Sequence, residues 1–145
     1  MLYSTATGYA LRALTVLPED GSYALTKQLA AQLELPGPYL AKILQVLAQK
    51  GLLRSLRGPR GGFQLARPAS EINVGQVLEA MEGSASLAGC VMGFSACGPD
   101  STPCPLHDAW KGVKAHLEGT LAQITMTDLR ARNLEQRFKD VLGQN

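Results

Sequence analysis

Hydrophobic residues recur at three- and four-residue steps in three stretches of the first half of the chain, which is the spacing of one helix face. The first stretch predicts a helix over residues 5–17. After a polar break, shorter helices are predicted over residues 26–33, with Thr26 as the N-cap, and over about 38–50. Because only residues 34–37 separate these two, they are predicted to form a helix-turn-helix. The residues expected to face inward are Leu29, Ala30, Leu33, Leu40, Ile43, Leu44 and Leu47.

Two strand-like pieces, residues 52–56 and 63–65, follow the helix pair. Between them lies the glycine-rich segment Arg57-Gly58-Pro59-Arg60-Gly61-Gly62. Because glycines permit a tight turn, this pattern predicts a β-hairpin, the wing of a winged helix. A nucleotide-binding loop is the rival interpretation, and it fails because no Lys-Ser or Lys-Thr pair follows and no helix begins there. A plain exposed hairpin is the simpler alternative.

The second half of the chain is predicted to be helical on both sides of one loop. Asn73, followed three residues later by Gln76, forms a capping-box-like start to a helix that ends near Gly83. Two more helices are predicted over about 105–124 and 128–142, the second covering the first or docking on the head. The first of them carries an apolar seam formed by Leu106, Trp110, Val113, Leu117, Leu121 and Ile124. The seam predicts a dimerisation helix, with packing on the chain's own body as the alternative.

These elements predict a mainly α fold: a winged helix-turn-helix with a small β-hairpin wing, a cysteine loop and a long dimerisation helix. The expected divisions are a DNA-binding head over residues 1–83, the cysteine-rich loop over 84–105 and dimerisation helices over 105–145. The 145 residues, 46% hydrophobic and 18% charged, are typical of a globular chain. No basic leader opens the sequence and no apolar run approaches the ~20 residues of a membrane span, so no membrane partner is expected.

The charge distribution supports a DNA-binding head. Residues 1–70 carry eight Lys and Arg against three Asp and Glu, a formal charge of +5, whereas the remainder carries a formal charge of −3. The second helix of a helix-turn-helix enters the major groove, and arginines on a wing suit the minor groove. The candidate DNA contacts are therefore Tyr39, Lys42, Gln45, Arg57, Gly58, Arg60 and Gly61. Each of these taken alone is also compatible with an ordinary surface position.

The chain's only three cysteines lie in one segment with the spacing C-x6-C-x6-C-x2-H, formed by Cys90, Cys97, Cys104 and His107. An odd number of thiols cannot form a closed set of disulfides, and unpaired thiols favour a reducing cytoplasm. Thiolates on a loop are typical ligands of an iron–sulfur cluster or of zinc, although structural zinc sites usually have shorter gaps. If Pro105 is the first helical residue, Cys104 is the N-cap, where the helix dipole favours a thiolate.

Two further interpretations of the cysteine segment are metal-free thiol chemistry and enzyme catalysis. An enzyme would use Cys104 as the nucleophile and His107 as the base. We predict no enzyme, because the sequence offers neither an evident oxyanion donor nor an orienting acid for this pair.

The order of elements, the segment Leu52 to Phe63, and Cys104-Pro105-Leu106-His107 with Trp110 one turn on resemble the Rrf-type bacterial transcription regulators. This family includes the iron–sulfur regulator IscR and the nitric-oxide sensor NsrR. The resemblance implies a homodimeric winged helix that binds double-stranded operator DNA and, in many members, carries a redox-labile cluster. It favours [2Fe–2S] over [4Fe–4S], with His107 as the fourth ligand. Asp100 and Asp108 are the other candidate ligands, and an ordinary histidine on the helix surface is the alternative for His107. Related members use a carboxylate of the first helix from the partner subunit, but the matching position here is Gly8.

The expected function is a DNA-binding transcriptional repressor whose operator affinity is set by an iron–sulfur cluster that senses iron–sulfur, redox or nitric-oxide status. The alternative is a cluster-free regulator of the same type, which responds to thiol oxidation, zinc or a protein partner.

Overall fold

The structure, a computed structural model, describes residues 3–83, 89–94 and 103–131. Eight helices and strands, together with a short 3-10 turn at Ala69–Glu71, are found in these ranges. They are α1 (Thr5–Val16), α2 (Thr26–Leu33), α3 (Gly37–Gln49), β1 (Leu53–Leu56), β2 (Gly62–Leu65), α4 (Val74–Glu82), α5 (His107–Gln123) and α6 (Met126–Ala131). The predicted mainly α winged helix is thus confirmed.

Helices α1 to α4 and the hairpin enclose one hydrophobic core. All the residues of α2 and α3 that were expected to face inward are buried, with at most 7% of their surface exposed. Helix α2 begins at Thr26 itself and Leu25 occupies the N-cap, so the prediction of Thr26 as the cap is wrong. The α2 C-cap is Glu34 with φ 56°, and its N–H bonds back to α2 carbonyls, which closes the tight turn into α3.

The wing is an antiparallel hairpin in which Leu53 pairs with Leu65 and Leu56 with Gly62. A third segment extends it, because Ala24 and Phe63 exchange two backbone hydrogen bonds of 2.9 Å. Gly62 makes this approach possible: it has φ 142°, and a Cβ there would lie 2.0 Å from the carbonyl oxygen of Ala24. The hairpin is therefore fixed to the start of the helix-turn-helix.

Helix α4 confirms the predicted capping box. The Asn73 side chain accepts from the Gln76 N–H at 2.9 Å, and the Gln76 side chain accepts from the Asn73 N–H at 3.0 Å. The helix ends at Glu82 with Gly83 as its C-cap, as the predicted end near Gly83 requires. Of the predicted cysteine loop, only residues 89–94 and 103–105 lie within the described ranges.

Helix α6 docks on the head. Val74 N–H donates to the Ile124 carbonyl at 2.8 Å and Met126 N–H to the Ile72 carbonyl at 2.8 Å, which brings the segment between α5 and α6 alongside the start of α4. Met126 is fully buried in the core. The predicted last helix thus begins earlier than expected, and its predicted part beyond residue 131 lies outside the described residues.

Helix α5 begins at His107, with Leu106 in the N-cap position. The expectation that Cys104 caps this helix, with Pro105 as its first residue, is therefore wrong. Instead, the His107 N–H donates to the Cys104 carbonyl at 2.9 Å, a turn that leads into the helix. No residue of α5 is buried in the single chain. Among the described helices, none is both long and apolar enough to cross a bilayer.

Candidate DNA interface and thiol site

The predicted recognition helix, α3, presents its candidate side chains on the surface. Tyr39, Lys42 and Gln45 are all exposed, while the opposite face of the helix supplies core residues. Tyr39 lies in the first helical turn with 39% of its surface exposed. The arrangement leaves these three residues free to meet base edges or phosphates.

The tip of the wing carries two exposed arginines, Arg57 and Arg60, with the exposed Gly58 between them. Gly61 differs, because it is buried. Its N–H donates to the Gly58 carbonyl at 3.0 Å, and a Cβ on Gly61 would lie 2.1 Å from the Leu56 carbonyl oxygen. Gly61 therefore shapes the tip that presents the arginines, and it offers little surface for DNA itself.

Two side chains of α1 that were not predicted from the sequence, Tyr9 and Arg12, form a stack with Tyr39. The rings of Tyr9 and Tyr39 meet edge to face, with centroids 5.9 Å apart and an interplanar angle of 90°. The Arg12 guanidinium carbon lies 5.7 Å from the centroid of the Tyr9 ring. Arg12 Nη2 also donates to the Leu33 carbonyl at the end of α2, at 3.1 Å. The three-residue spacing of Tyr9 and Arg12 on α1 was the available signal, but their partner is distant in sequence.

Two of the three predicted sulfur ligands are brought together. Cys90 Sγ and Cys104 Sγ lie 3.7 Å apart, and both cysteines are half-buried. A disulfide needs about 2.05 Å. Two sulfurs bound to one tetrahedral metal by bonds of about 2.3 Å would be about 3.7 Å apart. The pair has the separation of an S–H···S hydrogen bond, and the same separation would suit two ligands of one iron or zinc ion.

The two remaining predicted ligands are not added to this pair. Cys97 lies outside the described residues. His107 is half-buried at the start of α5, but within the described ranges no three His, Cys, Asp or Glu side chains are grouped closely enough to hold a metal. Within the described residues, the structure thus brings together two of the four predicted ligands, Cys90 and Cys104.

A hydrogen bond from Trp110 joins α5 to residues 89–94, the described segment that contains Cys90. Its indole Nε1–H donates to the Gly89 carbonyl at 3.0 Å, directly before Cys90. The neighbouring side chains Val91, Met92 and Phe94 are exposed. Trp110 was predicted to be part of the apolar seam, and no pattern in the sequence indicates this hydrogen bond.

A second hydrogen-bonded group that was not predicted from the sequence lies at the end of α4, shortly before the cysteine loop. The Glu82 carboxylate accepts from the Ser4 N–H at 2.7 Å, from the Ser4 hydroxyl at 2.6 Å and from the hydroxyl of the buried Thr7. The hydrogen bonds from the Ser4 and Thr7 side chains, and then that from the Ser4 backbone, lower the pKa of Glu82. The end of α4 is thereby joined to the start of α1.

The predicted dimer seam remains accessible along α5. Leu106 and Val113 are exposed, at 46% and 55%, and the other members are only partly buried. Among the residues that the structure describes, Leu121 and Ile124 at the end of the seam contact the core, and Trp110 contacts the Gly89 carbonyl of its own chain.

Comparison with known proteins decides the family. Residues 3–132 match the sequence profile of the Rrf2 family, described as iron-dependent transcriptional regulators. The chain belongs to the Rrf2 family. This Rrf2 protein is 31% identical over 137 residues to the HTH-type transcriptional regulator IscR of Cereibacter sphaeroides, covering 89% of this chain and 86% of that one. It is 40% identical over 134 residues to a chain of Synechocystis sp. described as an HTH-type transcriptional regulator, covering 89% and 87%.

Solved structures support the same fold. The Rrf2 chain superposes on T. potens IscR with a TM-score of 0.68 and 29% identity, covering 87% of this chain and 83% of that one. It superposes on Staphylococcus aureus CymR with a TM-score of 0.68 and 27% identity, covering 88% and 96%. The resemblance stated from the sequence is thus confirmed, and the protein is a transcriptional regulator rather than an enzyme.

Proposed function

We propose that this Rrf2 protein is a homodimeric repressor whose affinity for operator DNA is set by an iron–sulfur cluster bound at the cysteine segment. The observation that carries the proposal is the 3.7 Å separation of Cys90 Sγ and Cys104 Sγ beside the start of α5. Membership of a family described as iron-dependent adds support, as does the similarity to IscR.

The proposed ligands are the three cysteines, Cys90, Cys97 and Cys104, with His107 as the fourth and [2Fe–2S] favoured over [4Fe–4S]. Gly8 has no side chain to replace His107. A cluster held by these residues would supply iron–thiolate bonds that oxidants and nitric oxide can break. The chain's own contribution is to hold Cys90 near Cys104, through the hydrogen bond from Trp110 to Gly89.

The proposed dimer uses α5. A helix of 17 residues that buries none of them in its own chain leaves its apolar seam to be covered by a partner. A second copy of the chain would place two α3 helices about 34 Å apart, one turn of DNA, on a pseudo-palindromic operator.

The cysteine segment is placed where binding of the proposed cluster can affect DNA binding. It connects α4 of the head with α5, and Cys104 lies three residues before α5 begins. Ordering or releasing the segment would therefore change how the heads are held relative to the dimer helices. Couplings of this kind are typically worth about 1–3 kcal/mol.

The metal content of protein purified without oxygen tests the cluster. We expect about two iron atoms and two acid-labile sulfides per chain, with visible absorption between roughly 300 and 500 nm. Replacing all three cysteines with alanine should remove the iron and sulfide together with the visible absorption. His107→Ala should alter the spectrum, whereas His116→Ala is the matched control, since His116 is the only other histidine and is exposed on α5. Colourless protein with stoichiometric zinc would overturn the cluster.

The same sulfur pair favours one second candidate, a thiol switch. If the isolated protein contains no metal, hydrogen peroxide could oxidise Cys90 and Cys104 to a disulfide, releasing two protons and two electrons that reduce the peroxide to water. We then expect two thiols per chain to disappear together with a change in DNA affinity. Cys90→Ser should abolish the change in affinity.

A further inference from the structure

We propose that Tyr9 and Arg12 of α1 are positioning residues for DNA recognition, which hold Tyr39 of α3 in one orientation through their stacked side chains. The inference rests on the proposed function in that α3 is taken to read DNA. It assigns a role to two residues of a helix that is not itself expected to touch base edges.

The first step is the contact between the rings. Tyr39 lies in the first turn of α3, with 39% of its surface exposed. The Tyr9 ring, which is half-buried, meets it at 90° with a centroid distance of 5.9 Å. Edge-to-face pairs of this geometry are favourable because the positive edge of one ring meets the negative face of the other. The contact therefore restricts Tyr39 before DNA arrives.

The second step is the guanidinium of Arg12. It lies 5.7 Å from the Tyr9 centroid, within the range of a cation–π interaction, and so restricts the Tyr9 ring in turn. The same guanidinium donates to the Leu33 carbonyl, one of the last carbonyls of α2, which have no partner within the helix. A single stack on α1 thus contacts the end of α2 and the beginning of α3.

Holding Tyr39 in one orientation lowers the conformational entropy that it loses when DNA binds. A side chain that is already fixed loses less conformational freedom when it binds. Removing the Tyr9 ring should leave Tyr39 present but free to rotate. We expect DNA affinity to fall by about three- to tenfold, the range given by the usual ordering cost of one side chain.

The experiment uses the full chain and a duplex that the wild-type protein selects from a randomised DNA library. Affinities are measured by fluorescence anisotropy for Tyr9→Phe, Tyr9→Leu, Tyr39→Leu and the double variant Y9L/Y39L. Tyr9→Phe keeps the ring and should stay within twofold of the wild type, while Tyr9→Leu should lose about three- to tenfold. The double variant should bind no more weakly than Tyr39→Leu alone, because Tyr9 acts through Tyr39.

Three outcomes separate the alternatives. Wild-type affinity in Tyr9→Leu, or losses that simply add in the double variant, would overturn the positioning role. If Tyr9→Leu does not fold, Arg12→Met tests the same stack, and wild-type affinity in that variant would overturn it too. If the wild-type protein selects no duplex at all, the proposed DNA binding itself is wrong.

Discussion

At the scale of single residues, Gly62 is where the wing meets the helix-turn-helix. It has φ 142°, and a Cβ would lie 2.0 Å from the Ala24 carbonyl oxygen. Gly58 is the matched control, since it also has positive φ, at 108°, but no atom lies within 4 Å of its added Cβ. We expect Gly62→Ala to lower the free energy of unfolding by about 2 kcal/mol more than Gly58→Ala. If urea denaturation gives equal losses of unfolding free energy for the two variants, the close approach of Gly62 to Ala24 is not maintained.

Arg130 is the residue that secures α6 to α1. Its Nη2 donates to the Leu14 carbonyl at 2.7 Å and to the Leu17 carbonyl at 2.9 Å, and its Nη1 lies 3.3 Å from Glu19 Oε2. Burial lowers the pKa of Arg130, and the charge of Glu19 partly offsets that effect.

Substitution separates the two kinds of contact that Arg130 makes. Arg130→Met should lower the free energy of unfolding by about 1.5–3 kcal/mol, because two carbonyls lose a charged donor. Glu19→Gln should cost less than about 1 kcal/mol, because the Glu19 side chain is 54% exposed and its ion pair is screened. Thermal denaturation of both variants measures the difference, and a larger loss for Glu19→Gln would contradict this ranking.

At the scale of elements, Glu82 joins the end of α4 to the start of α1. Its donors, Ser4 and Thr7, stabilise the charged carboxylate and lower the pKa of Glu82 in the folded protein. The resulting stabilisation is complete above the unfolded-state pKa of a glutamate and is lost as the pH falls through the lower folded-state pKa. We expect Glu82→Gln to lower the free energy of unfolding by about 1 kcal/mol at pH 7. This is a low value for hydrogen bonds to a charged group, because the bonds from Ser4 are exposed to solvent.

The pH dependence provides the check on Glu82. Stability curves of the wild type and Glu82→Gln should differ at pH 7 and converge as the pH falls below about 4. Glu79→Gln is a suitable control, since Glu79 is an exposed glutamate of the same helix. A difference that persists unchanged at acid pH would show that the carboxylate charge is not what joins the two helices.

The elements themselves were predictable where local signals decide them. The apolar spacing of α2 and α3, the Asn73 capping box and the hairpin glycines each act within a few residues, and each prediction is confirmed. Two local predictions failed, the caps at Thr26 and at Cys104, and one helix start failed because a distant contact decides it. Helix α6 begins at Met126 because the segment before it pairs with Ile72 and Val74. Helix α5 begins at His107 rather than at Pro105, although proline suits a first helical turn.

At the scale of the whole molecule, α5 supplies the surface proposed for dimerisation. Val113 is 55% exposed in the single chain, so Val113→Glu should barely change the fold while placing charge on the apolar seam. We expect a dimer for the wild type and a monomer for this variant in light scattering coupled to size exclusion. Ala115→Glu places the same charge on an exposed position off the seam and should remain dimeric. A monomeric wild type would contradict the proposed interface.

For the candidate thiol site, the sequence predicts the residue types of the ligands but little of the geometry that brings them together. The spacing of the cysteines indicated a shared site, and the proximity of Cys90 to Cys104 agrees with it. The spacing could not reveal that Trp110 holds Gly89, or that Tyr9 and Arg12 support Tyr39, because these contacts join elements that the fold alone brings together. His107 follows Cys104 closely in sequence, yet it forms no three-ligand group with the two cysteines in the described structure.

The central claim is that a cluster bound by the cysteine segment sets operator affinity. The most direct measurement compares, on one selected duplex, the affinity of anaerobic protein before and after chelation removes its iron, with the triple cysteine-to-alanine variant treated in parallel. We expect the wild-type affinity to change by about five- to 150-fold and that of the variant to stay constant. An unchanged wild-type affinity after complete loss of iron would contradict the account.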